Sequence, residues 1–193
     1  MAQFKAINDR VEVNGQTVLS VANGLGSMKA LGLRVLKDNG IDDPKPDGWY
    51  PQQFWLNAFK QISEKIGANT LLQIGKSIPD NAKFPPEIQD VHAGLAAIDV
   101  AFHMNHRLNG QVLFDPSTGR LTEGIGHYRY RKLDERKAEV TCDNSYPCDF
   151  DKGIIEAMAK KFKPAGSIVR IEHDESMGCR KHGSGSCVYT VIW

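Results

Sequence analysis

Charge of one sign is what this sequence most plainly lacks: 24 Lys and Arg stand against 23 Asp and Glu, a formal net charge of +1. The balance leaves no basic footprint for nucleic acid and no acidic tail, which argues against a polyelectrolyte partner. No apolar run approaches the length needed to cross a bilayer. The opening Met1-Ala2-Gln3-Phe4-Lys5 has no basic region leading into an apolar stretch, so no secretory signal is read and a cytoplasmic location is expected. Gly24-Leu25-Gly26 lacks the third glycine of a dinucleotide fingerprint and has no parallel β-α-β unit behind it, which leaves it as a turn. There is no repeat, no low-complexity tract, and no clear nucleophile or paired acid and base.

The 193 residues are enough to bury a core without help from a metal, so a bound ion would pin a corner and not create the fold. Cysteine is scarce but concentrated: all four, Cys142, Cys148, Cys179 and Cys187, lie in the last quarter as a C-x5-C pair and a C-x7-C pair. A reducing compartment keeps thiols free, and thiolates are soft ligands that suit zinc. The loop from Cys179 to Cys187 is composed of Arg, Lys, His, Gly and Ser, which reads as a solvated turn. A disulfide closing that loop and plain free thiols are the alternatives, because the stronger C-x2-C spacing is absent.

Along the chain, 4–13 and 17–21 flank Asn14-Gly15 as in a tight hairpin. Ser27 is placed to cap a helix ending at Gly40. Pro51 suits the first position of a helix carrying Phe54, Leu56, Phe59, Ile62 and Ile66. A short helix over 70–78 ends at Pro79, and a further one runs from Pro85-Pro86 to about Leu108 with Ile88, Val91, Leu95, Ile98 and Phe102 on its apolar stripe. Beyond Gly110 the period becomes that of strands, at 111–114, 124–132, 138–142, 167–171 and 187–193, interrupted by a helix over 151–162. The expected class is α+β: a helical part, then a mostly antiparallel sheet with one late helix. A single domain over 1–193 is expected, with 1–109 mainly helical behind the N-terminal hairpin and 110–193 a zinc-pinned sheet part.

The order of elements, with Cys148-Asp149-Phe150-Asp151 opening a helix, Ile168 to His173 forming a strand, and Cys179 to Cys187 followed by Val188-Tyr189-Thr190-Val191-Ile192-Trp193, resembles the 4-vinyl-reductase-type domain. That domain is related to H-NOX heme sensors and TRAPP-like subunits. The likeness covers the C-terminal half in detail and the first hundred residues only in helical character. It implies a structural zinc on Cys148, Cys179 and Cys187, with His173 as fourth ligand and Cys142, Glu175 or His182 as alternatives for that place. Four protein ligands would close the site.

A second constellation lies on the long central helix: Asp99, His103 and His106 at turn spacing, with Asn105, Arg107 and, further back, His92. Each histidine alone reads most simply as a hydrogen-bonded or exposed helix residue. The H-NOX likeness implies His103 as an axial heme ligand, with His106, Tyr128 and Arg131 near the cofactor. The family's Tyr-x-Ser-x-Arg run is not intact, since Tyr130 stands at the serine and Lys132 at the arginine. Two other readings are a metal-dependent enzyme built on Asp99, His103 and His106, and a pocket whose polar tip binds an otherwise apolar molecule among Trp49, Tyr50, Phe54, Trp55, Phe59, Phe102 and Met104. The preferred expectation is a sensor-type domain, not an enzyme, with zinc as cofactor and a small apolar or tetrapyrrole-like ligand. Heme is the alternative cofactor, and a homodimer is the expected assembly.

Overall fold

The computed structural model describes residues 3–193. Its elements are β1 (Val11–Asn14), α1 (Gly15–Val18), α2 (Ser20–Gly24), α3 (Lys29–Asp38), β2 (Trp49–Pro51), α4 (Gln52–Lys65), α5 (Ala68–Asp80), α6 (Val91–Met104), β3 (His106–Leu108), β4 (Gln111–Val112), β5 (Phe114–Asp115), β6 (Arg120–Leu121), β7 (Tyr128–Asp134), β8 (Lys137–Cys142), α7 (Cys148–Phe162), β9 (Arg170–His173) and β10 (Cys187–Ile192). Single turns of 3-10 helix lie at Gly26–Met28, Glu175–Met177 and Arg180–His182. The architecture is α+β. One sheet has the order β2-β1-β3-β4, a second β7-β8-β10-β9, and β5 pairs with β6; the paired strands are antiparallel.

The N-terminal hairpin is not formed. Asn14 keeps an extended backbone and its side chain accepts the Gln16 N–H, capping α1, so the residue acts as a helix N-cap where the sequence pattern suggests a turn. Its strand finds partners far along the chain, with Val13 opposite Tyr50 on β2 and opposite His106 on β3. Strand β3 thereby anchors the exit of α6. That helix is also shorter than its apolar stripe suggests. Asp90 accepts the Ala93 N–H at 2.8 Å and starts the helix at Val91, leaving Pro85, Pro86 and Ile88 in the preceding segment. Pro51 precedes α4 as its N-cap, Ser27 lies within a 3-10 turn ahead of α3, and Pro79 is inside the last turn of α5.

The core sits between α4, α5, α6 and α7 and the inner face of the second sheet. Trp55 and Phe59 from α4 meet Phe150 from α7 at centroid distances of 5.7 and 4.7 Å, and Tyr146 joins them at 5.1 Å from Trp55. Helices α5 and α7 cross through paired glycines. A Cβ at Gly75 would come within 2.2 Å of the Phe150 carbonyl oxygen, and one at Gly153 within 2.3 Å of that of Leu72. Only bare Cα atoms allow this approach, and it is the approach that turns Phe150 and Ile154 toward the interior.

Candidate functional site

Between the helices and the sheet lies a cavity of ≈ 90 Å³ walled by Trp55, Ile98, Phe102, Tyr146, Phe150 and Met158, with His106 and Tyr128 as its polar groups of strongest chemistry. A wider hollow of ≈ 400 Å³ adjoins it, and the two share Thr17, Ile78, Ala82, Phe84, Ala101 and Asn105. From the segment between α5 and α6, Ala82 and Phe84 line both.

His106 is buried at the C-terminal exit of α6. Its Nδ1 lies 2.6 Å from the Phe102 carbonyl and its Nε2 2.5 Å from the Tyr146 hydroxyl. Burial pushes its imidazolium down to about 3, against the pull of the Phe102 carbonyl, so the ring is neutral. With Nδ1–H given to the carbonyl, Nε2 accepts from the Tyr146 hydroxyl, and the ring lines the cavity. Tyr128 donates its hydroxyl to Asp151 at 2.5 Å, and burial together with the Asp151 charge raises that hydroxyl well above its usual range.

The heme set read from the sequence does not gather around one cavity. His106 and Tyr128 line it, whereas His103 and Arg131 do not. Arg131 is on the outer stretch of β7, 65% exposed, and pairs with Glu139 at 2.9 Å. His103 packs on the other side of α6 against Asp99 and His127. The enzyme site of Asp99, His103 and His106 is likewise redrawn: the ligand atoms that come together belong to Asp99, His103 and His127. His103 and His106 are three residues apart and would share a face on a continuous helix, but α6 ends at Met104 and His106 opens β3. His92 is occupied by the Tyr130 hydroxyl at 2.7 Å and the Glu135 carbonyl at 3.1 Å.

At the far end of α7, the ligand atoms of Cys148, His173, Cys179 and Cys187 all lie within 4.8 Å of one another. The sulfur separations are 3.1, 3.5 and 3.8 Å, near the ~3.8 Å that a tetrahedral zinc with ~2.3 Å bonds to sulfur would require. All four cysteines are free. His173 stacks on Tyr189 at 4.6 Å, its Nδ1 is 3.8 Å from a Glu175 oxygen, and its Nε2 is buried without a hydrogen-bond partner. A metal on Nε2 with a carboxylate behind Nδ1 is the usual arrangement of a ligating imidazole. A hydrogen bond from the Cys148 thiol, followed by the Arg180 N–H and guanidinium, pushes Cys187 down to about 3. The same bond and burial push Cys148 up. Cys142 is not among the four; it is buried opposite Cys187 in the β8–β10 ladder.

The sequence pattern does not reveal the group that links cavity and cysteines. Arg180, inside the supposedly solvated C-x7-C loop, has a fully buried side chain. It pairs with Asp151, donates to the Asn144 side-chain oxygen at 2.8 Å, and points its backbone N–H and Nε at Cys187 Sγ from 3.3 and 3.4 Å. Burial pushes the Asp151 carboxyl up to about 6 while Arg180 and Tyr128 pull it down. The result is one continuous chain of contacts: cavity wall, Tyr128, Asp151, Arg180, Cys187. A cysteine-flanked arginine gives no periodic signal of burial, and Asp151, in the first turn of α7, reads as an ordinary acidic residue at a helix start.

Among the described residues, no helix is long and apolar enough to cross a membrane. No family model matches the sequence, and no curated protein does. Solved structures do. The chain is similar to an H-NOX protein from S. oneidensis in its Fe(II)NO state, with a TM-score of 0.61, 11% identity, and coverage of 92% of this chain and 97% of that one. It is similar at TM-score 0.62 and 11% identity to the unliganded Fe(II) H-NOX protein from K. algicida, covering 93% and 95%. A structure from a study of heme distortion in the H-NOX family matches at TM-score 0.64 and 16% identity, over 93% and 94%. What these likenesses show is that the chain has the H-NOX-type fold nearly from end to end.

Proposed function

We propose that this chain is a sensor-type domain that holds a small molecule between its helical part and its second sheet, and that zinc on Cys148, His173, Cys179 and Cys187 pins the corner beside it. The observation that carries this reading is the apolar cavity with a neutral imidazole at its polar tip. At ≈ 90 Å³ the inner cavity is smaller than the ~150 Å³ that accepts benzene, and ligands of drug size need ~300–1,000 Å³. The ligand therefore places a polar end beside His106 and Tyr128 and lays an apolar body in the adjoining hollow. A group that competes for the Tyr128 hydroxyl loosens Asp151 and, through Arg180, the Cys187 thiolate. That coupling would carry occupancy of the cavity to the zinc corner and on to a partner, with a second copy of the chain as the expected one.

The second reading is a heme sensor. It is favoured by the fold, since the similar structures include an H-NOX protein with Fe(II)NO. A porphyrin does not fit the cavity as it stands, and His103 and Arg131 face elsewhere. His106 is the imidazole that faces the interior. Titration of the zinc-loaded protein with hemin under reducing conditions separates the two readings. A one-to-one Soret band that vanishes in His106→Ala supports heme. No band, together with saturable displacement of an apolar fluorescent probe that Ala101→Phe suppresses, supports the smaller ligand. Neither signal overturns the sensor reading.

A further inference from the structure

Asp99, His103 and His127 present ligand atoms within 4.8 Å of one another, on α6 and just ahead of β7, elements that the cysteine cluster does not use. Asp99 holds the group together. Its Oδ1 accepts the Tyr128 N–H at 2.8 Å, and its Oδ2 lies 3.0 Å from His127 Nδ1. The other nitrogen of His127, Nε2, lies 2.8 Å from a Glu123 oxygen. His103 is fully buried, with Nδ1 2.8 Å from the Asp99 carbonyl and 3.7 Å from its carboxylate, while Nε2 is without a partner.

Each imidazole therefore has one nitrogen fixed by an oxygen acceptor, the Asp99 carbonyl for His103 and the Glu123 carboxylate for His127. Metal-ligating histidines are held in this way, with the second nitrogen left as a lone-pair donor. For His127 the geometry is restrictive. Once Nε2–H is given to Glu123, Nδ1 faces the Asp99 carboxylate, and two acceptors at 3.0 Å need a proton or a cation between them. For His103 the buried, unpaired Nε2 is an acceptor removed from water without compensation, an arrangement that native interiors rarely keep.

We propose that Asp99, His103 and His127 form a second metal site, separate from the cysteine set, for a divalent first-row transition ion. Two imidazoles and one carboxylate suit Fe²⁺, Co²⁺ or Zn²⁺, and three protein ligands leave positions open for water or an exogenous ligand. Glu123 positions His127 and does not bind the ion. Its side chain is 81% exposed, so the site lies at a rim that a hydrated ion can reach.

Cobalt is the probe. Protein carrying one zinc per chain at the cysteines is titrated with Co²⁺ and followed by calorimetry and visible absorption. The expected result is one further cobalt per chain, with weak d–d bands and no sulfur-to-cobalt charge-transfer band. His127→Gln and Asp99→Asn abolish that uptake, and Glu123→Gln weakens it by about 10- to 100-fold, the usual loss on removing an orienting carboxylate. Cys187→Ser leaves it in place. The proposal is overturned if no cobalt binds beyond the cysteine set, if all uptake carries sulfur bands, or if Glu123→Gln, whose exposed side chain spares the fold, binds cobalt as tightly as the parent.

Discussion

Acidification tests whether His106 is neutral because it is buried. Its folded-state imidazolium is pushed down to about 3 from an ordinary 6.5. Between those values the unfolded chain binds a proton that the folded chain refuses, so this residue makes stability rise with pH through the window and fall as pH drops below about 6.5. At about 1.36 kcal/mol per unit, lowering the pH from about 7 to about 4.5 removes roughly 2.5 kcal/mol through His106 alone. Other groups titrate in the same range. His127 opposes the trend: burial lowers it, but the hydrogen bonds that its ring donates to the Asp99 and Glu123 carboxylates outweigh burial and raise it. The quantity to measure is therefore a difference: urea unfolding of wild type and His106→Gln across that range. The variant is less stable at neutral pH, since the bonds to Phe102 and Tyr146 are lost, and the gap between the two proteins narrows by roughly 2.5 kcal/mol on acidification. A gap that stays constant within about 0.5 kcal/mol would refute the burial argument.

Removing one partner of a fully buried ion pair leaves an uncompensated charge, so Arg180→Met should cost about 3–5 kcal/mol in urea unfolding, and adding Asp151→Asn should return part of that loss. Gly75→Ala forces a methyl group to within 2.2 Å of the Phe150 carbonyl oxygen; about 1–3 kcal/mol of destabilisation is expected, and an unchanged urea midpoint would show that the α5–α7 crossing is looser than described. Cys187→Ser should release zinc and lower the thermal midpoint, checked by elemental analysis on the same sample, whereas Cys142→Ser should retain the metal; equal zinc in both variants would remove the ligand assignment. Ala101→Phe should close the passage between cavity and hollow and abolish uptake of an apolar probe without loss of zinc.

Much of the architecture is legible in the sequence because it rests on local chemistry. The apolar spacing of Trp55, Leu56, Phe59 and Ile62 marks α4, and the β-branched run after Cys187 marks β10. Where two local signals compete, tertiary partners decide. Asn14-Gly15 is as good a helix start as a hairpin turn, and β1 is drawn into a sheet by strands that lie tens of residues away. Pro85, Pro86 and Ile88 continue an apolar stripe, yet Asp90 is the cap that begins the helix.

The same division holds at the sites. Cysteine chemistry and spacing alone mark all four cysteines as metal-binding candidates, and it is the family resemblance that implies Cys148, Cys179 and Cys187. The convergence of His173 with them, and the displacement of Cys142 into the ladder behind, follow from strand register, which composition does not encode. Helical spacing places Asp99 and His103 together but cannot place His106, whose ring turns inward because the helix ends at Asn105. It also cannot supply His127, which arrives from the residue just ahead of β7, twenty-eight residues after Asp99. The charge on Arg180 is visible in the sequence, while its burial is decided by Asp151, Asn144 and Cys187 closing around it, since a guanidinium leaves water only where enough acceptors surround it.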